Sequence, residues 1–117
     1  MEERYTMMEQ NNLRSLFIII NAGHADEIIE ITREHGASGA TILNARGNAP
    51  SHQVFMGITI DKEKEIVLCL TSATIADKIM LAVKDRAGVN TPAHGICFTL
   101  PVDKMIGLSL HDDSGDF

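Results

Sequence analysis

The sequence predicts an α+β fold in which two strand–helix–strand units form a four-stranded antiparallel sheet, with both helices on one face. Three observations lead to this prediction. The chain has 117 residues, the length of one domain. Two segments repeat apolar residues with a helical period, and a glycine follows each of them. Apolar segments stand before and after each helix, so the expected element order is βαββαβ, the ferredoxin-like arrangement.

The first unit begins with residues 13–20, which are almost entirely apolar and predict a buried strand. Asp26 and Glu27 suit the first turn of a helix, where the helix dipole favours acidic side chains. Four residues then recur at the spacing of one helical face: Ala25, Ile28, Ile29 and Thr32. We expect Gly36 to end this helix and residues 41–45 to form the second strand.

The rest of the chain contains three further extended segments. Residues 54–60 and 65–70 are predicted to be extended, with a charged run at 61–64 between them. Residues 96–100, Ile-Cys-Phe-Thr-Leu, are apolar enough to form a further strand of the sheet.

A helix is predicted before this last strand. Thr74 and Asp77 have the spacing of a capping box, with Asp in place of the usual Glu. Five residues keep the helical period: Ile75, Ile79, Ala82, Val83 and Arg86. Gly88 is expected to close the helix in the left-handed conformation.

One face of such a sheet is left bare by the helices. Phe17, Ile19, Val67 and Cys69 are expected to be among the residues that line it. Because so apolar a surface must be covered, the pattern predicts oligomerisation.

The expected domain organisation is a flexible arm at residues 1–12, one domain at residues 13–110 and an acidic tail at residues 111–117. The N-terminal residues are polar and acidic rather than basic and then apolar, so they do not resemble a secretory signal. The longest apolar run, residues 16–20, is too short to cross a membrane. A cytoplasmic location is expected.

Composition excludes some classes of function. The net charge of −6 argues against a general nucleic-acid binder, since phosphate repulsion would go uncompensated. Cys69 and Cys97 form no disulfide framework and no Cys-x-x-Cys pair, which favours a reducing compartment. The five histidines are scattered, so no metal site is expected. No motif of nucleophilic or nucleotide-hydrolysing enzymes is present, and the protein is not expected to be an enzyme.

Residues 88–103, Gly-Val-Asn-Thr-Pro-Ala-His-Gly-Ile-Cys-Phe-Thr-Leu-Pro-Val-Asp, form the most specific pattern in the chain. Gly88 and Gly95 frame a loop whose backbone N–H groups suit an anion. An apolar strand follows and ends in Leu-Pro-Val and an acidic residue. This segment resembles the signature of the PII family of signalling proteins, which includes nitrogen regulators, and the resemblance covers roughly residues 13–108.

The resemblance implies a regulatory protein that assembles as a homotrimer with its sheets facing inward. A small effector, expected to be an adenine nucleotide (ATP, ADP or AMP), would lie between subunits. A loop at about residues 46–61 would change conformation and act on a protein partner, by analogy a membrane transporter or a metabolic enzyme.

The resemblance also implies site residues. Eleven are expected to bind the ligand: Thr41, Arg46, Gly47, Lys62, Lys64, Gly88, Val89, Asn90, Thr91, His94 and Gly95. Four are expected in the partner-binding loop: Asn48, Pro50, His52 and Phe55.

The sequence departs from the family at several positions. Gly107 and Ser109 stand where the family has two arginines that grip phosphates, and Ile96 replaces a basic residue. Each missing cation removes a charge-assisted hydrogen bond of roughly 1.5–3 kcal/mol, so a binding mode other than the standard ATP mode is expected. The loop is shorter than in nitrogen-regulating members, and the chain's one tyrosine, Tyr5, lies outside it.

Two alternative functions share the expected fold. One is an amino-acid-binding regulatory module, which the stabilisation of the protein by amino acids would reveal. The other is a small enzyme with a pocket under the sheet, for which His24 or His52 would be the first candidates for catalysis.

Overall fold

The structure is a computed structural model that describes residues 12–47, 54–55, 58–59 and 63–107 of the chain. Within them lie β1 (Leu13–Asn21), α1 (Ala25–Glu34), β2 (Thr41–Arg46), β3 (Val54–Phe55), β4 (Ile58–Thr59), β5 (Glu63–Ser72), α2 (Ala73–Ala87) and β6 (Ile96–Pro101). Most of the residues predicted as a flexible arm and an acidic tail lie outside the described residues.

Four strands form one antiparallel sheet in the order β2-β5-β1-β6. The central strand β1 pairs with β5 on one side and β6 on the other, and β2 pairs with β5. Both helices contribute side chains to a single core on one face of this sheet. The ferredoxin-like fold predicted from the sequence is therefore confirmed.

The segment predicted as one strand at residues 54–60 is not a strand of this sheet. β3 and β4 pair only with each other in an antiparallel hairpin, with Val54 opposite Thr59. The third strand in the order of the fold is β5, which begins at Glu63 because its pairing with β2 extends to Glu63 opposite Arg46. Part of the charged run predicted as a turn is thus in the sheet.

The core lies between the sheet and the two helices. Leu16, Ile18 and Ile20 of β1 are fully buried in it. The same core contains two residues of β5, Val67 and Cys69, which lie opposite Ile18 and Leu16. Since directly opposed residues in an antiparallel pair share a face, the prediction that Val67 and Cys69 line the bare face is wrong.

The other face of the sheet, here called the open face, is apolar along its whole width. Phe17 and Ile19 lie on it, as predicted, and the residues that the pairing registers also place there include Thr41, Leu43, Ile66, Leu68, Leu70, Ile96, Phe98 and Leu100. The rings of Phe17 and Phe98 stack with centroids 5.1 Å apart. Phe98 is 40% exposed and Leu100 49%, although both are large apolar side chains. An exposed patch of this size marks an interaction surface.

The helix ends differ in part from the sequence expectation. Gly36 has φ of 96°, the left-handed conformation that commonly follows a helix, as expected after α1. Gly88 does not, since its φ of −80° and ψ of −165° are extended. The N-cap of α2 is Ser72, whose Oγ accepts a hydrogen bond from the N–H of Ile75 at 3.2 Å, so the predicted cap at Thr74 is wrong. Thr74 already lies inside the helix.

We therefore expect Ser72→Ala to lower the free energy of unfolding by about 1 kcal/mol, because it leaves the N–H of Ile75 without its acceptor. Urea denaturation measures this change. The matched control is Thr74→Ala, an exposed position in the same turn, which should change stability by less than about 0.5 kcal/mol. A larger loss in Thr74→Ala than in Ser72→Ala would contradict this assignment of the cap.

Candidate functional site

The chemistry-bearing residues gather at one end of the sheet. β1 ends there at Asn21 and the parallel strand β2 at Arg46, while the antiparallel strands β5 and β6 begin there at Glu63 and Ile96. We call this end of the sheet the loop end. The loop from Gly88 to Gly95, here the glycine loop, connects α2 to β6 at the same end.

The glycine loop is held in one shape by its own hydrogen bonds. The N–H of Thr91 and its hydroxyl both donate to the carbonyl of Gly88, at 3.0 and 2.8 Å. The N–H of His94 donates to the carbonyl of Thr91 at 2.9 Å, and that of Gly95 to Ala87 at 2.7 Å. These three amides serve the fold of the loop, so an anion would have to use other donors nearby.

Both glycines of the loop are required by close approach of the backbone. A Cβ atom at Gly88 would lie 2.5 Å from the carbonyl oxygen of Lys84. At Gly95 it would collide with the carbonyl oxygen of Ala87, and it would lie 3.4 Å from side chains of Ile20 and Val83. The sequence therefore identified both glycine positions correctly. Glycine is needed there because a Cβ atom would not fit, and not because the backbone is left-handed.

His94 is the strained residue of the loop. Its φ of 50° lies in the left-handed region, which a residue with a Cβ seldom adopts. Its ring Nδ1 lies 3.0 Å from the carbonyl oxygen of Val89, a contact that requires the proton on Nδ1. The ring therefore closes the loop on itself, and a neutral His94 would offer Nε2 only as an acceptor.

Asn21 joins the glycine loop to β5. Its backbone N–H donates to the carbonyl of Ala93 at 2.9 Å, and its side-chain Nδ2 donates to the carbonyl of Pro92 at 3.0 Å. Its Oδ1 accepts a hydrogen bond from Nζ of Lys64 at 2.7 Å. The ammonium group of Lys64 is thus fixed beside the glycine loop within one subunit.

Glu65 stabilises the neighbouring turn between β1 and α1. Its Oε1 accepts a hydrogen bond from the N–H of Gly23 at 3.0 Å, and the carbonyl of Glu63 accepts one from Ala22 at 3.1 Å. Gly23 has φ of 97°, so the turn depends on a glycine at this position.

Arg46 lies at the same end of the sheet but on the opposite edge. It is exposed at the end of β2, opposite Glu63 on β5, whereas the glycine loop precedes β6. Three strand spacings separate these edges, a distance of about 14 Å. Within one subunit, Arg46 and the glycine loop therefore lie at opposite edges of the sheet.

The structure brings nine of the expected ligand-binding residues to the loop end: Arg46, Gly47, Lys64, Gly88, Val89, Asn90, Thr91, His94 and Gly95. Thr41 lies at the other end of β2, five residues or about 17 Å from Arg46. Lys62, Asn48, Pro50 and His52 lie outside the described residues, and Phe55 belongs to β3.

Sequence reasoning missed two residues of the loop end, Asn21 and Glu65. Asn21 ends an apolar strand and is 2% exposed, and a polar residue at such a position was the available signal. Its partners are 43 and 71 residues away in the sequence, so no local pattern could identify them.

The two cysteines and the ion pair between Arg86 and Glu34 lie away from this site. Burial raises the pKa of the Cys69 thiol to about 11 and also raises the pKa of Cys97, so both are thiols at neutral pH. On the outer helix surface, Arg86 donates to Glu34 at 2.7 Å and lowers the pKa of that carboxyl. Among the described residues, no three His, Cys, Asp or Glu side chains converge as metal ligands.

Solved structures of similar shape match most of the chain. A PII-like signalling protein from Thermus thermophilus matches with 17% identity and a TM-score of 0.65, over 85% of this chain and 94% of that one. CutA from Synechococcus elongatus PCC7942 matches with 13% identity and a TM-score of 0.63, over 86% of each chain. CPII from Thiomonas intermedia K12, bound to ADP, AMP and acetate, matches with 14% identity and a TM-score of 0.60, over 86% of this chain and 91% of that one. The chain has the PII-like fold.

The resemblance inferred from the glycine loop is thereby confirmed at the level of the fold. Sequence identities of 13 to 17% support a shared fold and nothing more specific. No protein-family model and no curated protein matches the sequence. No helix in the described part of the chain is long and apolar enough to span a membrane.

Proposed function

We propose that this chain is a cytoplasmic regulatory protein of PII-like type that binds an adenine nucleotide between the subunits of a homotrimer. The observation that carries the proposal is the loop end, where a glycine loop of fixed shape lies beside the ammonium group of Lys64.

The open face supports the assembly. It presents large apolar side chains from all four strands of the sheet, and its central aromatic pair is stacked but exposed at Phe98. Covering apolar surface contributes roughly 25 cal/mol for each Å² removed from water. Three copies of the chain with their open faces turned inward would cover it without a second kind of subunit.

The position of the cations supports a site between subunits. Arg46 and the glycine loop lie on opposite edges of one sheet, and in the proposed trimer the edge of β2 in one copy would approach the edge of β6 in another, which brings both to one ligand. Alternate residues of a strand point to the same face of the sheet. Asn21 is two residues from Ile19 on β1, and Lys64 is two residues from Ile66 on β5, so both lie at the rim of the open face, toward the neighbouring copy.

The chemistry of the loop end fits a phosphate with few negative charges. Among the described residues, Lys64 and Arg46 are the basic side chains of the strand ends there, and both suit phosphate oxygens. Two cations balance AMP or ADP better than ATP, so we expect the shorter nucleotides to bind more tightly. CPII, which shares the fold, is bound to ADP and AMP in its solved structure.

The proposed output is a change in the loop at about residues 46–61. The loop follows the end of β2 at Arg46, and the chain returns to the sheet at Glu63 of β5. Both ends of the loop therefore lie beside the proposed ligand site. A ligand that prefers one arrangement of the loop shifts its population by the difference in affinity. The partner, proposed by analogy, is a membrane transporter or a metabolic enzyme.

A catalytic function has less support. His24 is half-buried at the start of α1, with Nδ1 3.6 Å from Oε1 of its own helix's Glu27. Its nearest acidic group thus belongs to the surface of one helix rather than to an enclosed pocket, and His52 lies outside the described residues. No observation favours an amino-acid-binding module over the nucleotide proposal.

The proposal is tested by thermal-shift measurements on the wild-type protein with AMP, ADP, ATP and a panel of amino acids. A nucleotide at 100 times its Kd should add about 2.7 kcal/mol of stability. Lys64→Met should weaken AMP binding by roughly tenfold or more, since it removes a charge-assisted hydrogen bond. Lys78→Met, at an exposed lysine of α2, is the matched control and should leave the Kd unchanged.

Two results would contradict this function. One is the absence of any nucleotide effect, and the other is an equal loss of affinity in Lys64→Met and Lys78→Met. A response to an amino acid alone would instead support the alternative regulatory module.

A further inference from the structure

The link from Lys64 through Asn21 to Pro92 connects the start of β5 with the glycine loop, two segments that are far apart in the sequence. Lys64 is the second residue of β5, where the loop at about 46–61 returns to the sheet. Pro92 lies in the middle of the glycine loop. We propose that Asn21 is a positioning residue that holds the Lys64 ammonium and the glycine loop in a fixed relation, so that a change at either one reaches the other. The meaning of this relation for ligand binding rests on the proposed function.

The orientation of the Asn21 amide is set by its partners. A lysine ammonium can only donate and a carbonyl can only accept, so Oδ1 must face Lys64 and Nδ2 must face Pro92. To bond both Lys64 and Pro92, the side chain at this position must carry one acceptor and one donor. Aspartate lacks the donor, and leucine, of similar size, lacks both groups.

Burial makes the link specific. Asn21 is 2% exposed, and its backbone N–H is also bonded to the glycine loop, at Ala93. A buried polar group that loses a partner is left unsatisfied, since water cannot replace that partner at once. If the Asn21 side chain loses its hydrogen bond to Lys64 or to Pro92, its hydrogen bond to the other residue is therefore weakened as well.

Lys64 can keep this contact while it binds a ligand. An ammonium group carries three N–H donors, so a hydrogen bond to Asn21 is compatible with another to a phosphate oxygen. The contact at 2.7 Å fixes Nζ in advance, which lowers the entropy lost by a long side chain on binding. Asn21 thus acts on the ligand through Lys64 and the glycine loop.

Hydrogen exchange in the ligand-free full chain tests this inference. The reporters are the amides of Thr91, His94 and Gly95, which are bonded within or next to the glycine loop. Lys64→Met should accelerate their exchange by about fivefold, the factor that corresponds to one lost hydrogen bond of ordinary strength. Lys78→Met should leave these three rates unchanged.

A second variant shows whether the effect passes through Asn21. Asn21→Asp keeps the acceptor for Lys64 but loses the donor to Pro92, so it should accelerate the same three amides on its own. Asn21→Leu removes both groups and adds no charge, and in that background Lys64→Met should add no further acceleration, because the connection is already broken. Additive effects, or unchanged exchange in Lys64→Met alone, would overturn the proposal.

Lys64→Met tests the role of Asn21 even if the Asn21 variants do not fold. Lys64 is half-buried at the end of a strand, and methionine has a side chain of similar length, so this substitution should preserve the fold. The measurement needs no ligand. Failure of nucleotide binding would therefore refute the proposed function and leave the exchange result standing, while unchanged exchange would refute the role of Asn21 and leave nucleotide binding untouched.

Discussion

Phe98→Asp is expected to convert the proposed trimer into monomers. Phe98 lies on the open face with its ring stacked on Phe17 at 5.1 Å, and it is 40% exposed in the single subunit. In a trimer with inward-facing sheets this position is covered. A carboxylate there would lose its water without gaining a partner, which costs several kcal/mol for each ion, and symmetry places one in every subunit.

Light scattering coupled to size-exclusion chromatography measures the mass directly. The matched control is Leu81→Asp, which introduces the same charge at a leucine of α2 that is 68% exposed. It should keep the trimer mass. A monomeric wild-type protein, or a trimer in Phe98→Asp, would contradict the proposed use of the open face and with it the site between subunits.

The second large effect is expected at Gly95. Gly95→Ala places a methyl group against the carbonyl oxygen of Ala87 and against Ile20 and Val83 of the core. The same residue donates its N–H to that carbonyl at 2.7 Å, so the loop cannot move away without losing this hydrogen bond. We expect a loss of about 1–3 kcal/mol in the free energy of unfolding, as for overpacked cores.

Thermal denaturation should show this as a decrease in Tm of roughly 4–8 °C for each kcal/mol lost. Gly39→Ala is the control, since a Cβ there meets nothing within 4 Å. It should be neutral or stabilising by up to about 1 kcal/mol, because alanine restricts the unfolded chain. An equal Tm for the two variants would show that the glycine loop tolerates the added methyl group.

The order of elements could be predicted from the sequence because the apolar periods are clear. Both glycine stops and the apolar character of residues 13–20 reflect local physics, which a single sequence displays. The faces of β5 could not be predicted in the same way. Residues 66–70 are Ile-Val-Leu-Cys-Leu, and an unbroken apolar run does not show which alternate residues point toward the helices. The register with β1 decides this, and it places Val67 and Cys69 inside.

The candidate site was predictable only where its residues are close in sequence. The glycine loop carries its own pattern, and its position before the last strand was identified correctly. Asn21 and Glu65 acquire their roles from partners brought together by the sheet, at separations of 42 to 71 residues. The cap of α2 was misplaced by two residues for a related reason, since Ser72 and Thr74 carry equivalent hydroxyl groups and the end of β5 decides which one caps the helix.

The open face has a consequence for how the sequence can change. When copies of one chain cover each other's open faces, one gene encodes both surfaces of each contact. A substitution at Phe17 or Phe98 is then repeated in every subunit, and no partner subunit can carry an independent compensating change. In the proposed trimer, a change at such a position is accepted only if the face still packs when all three subunits carry it.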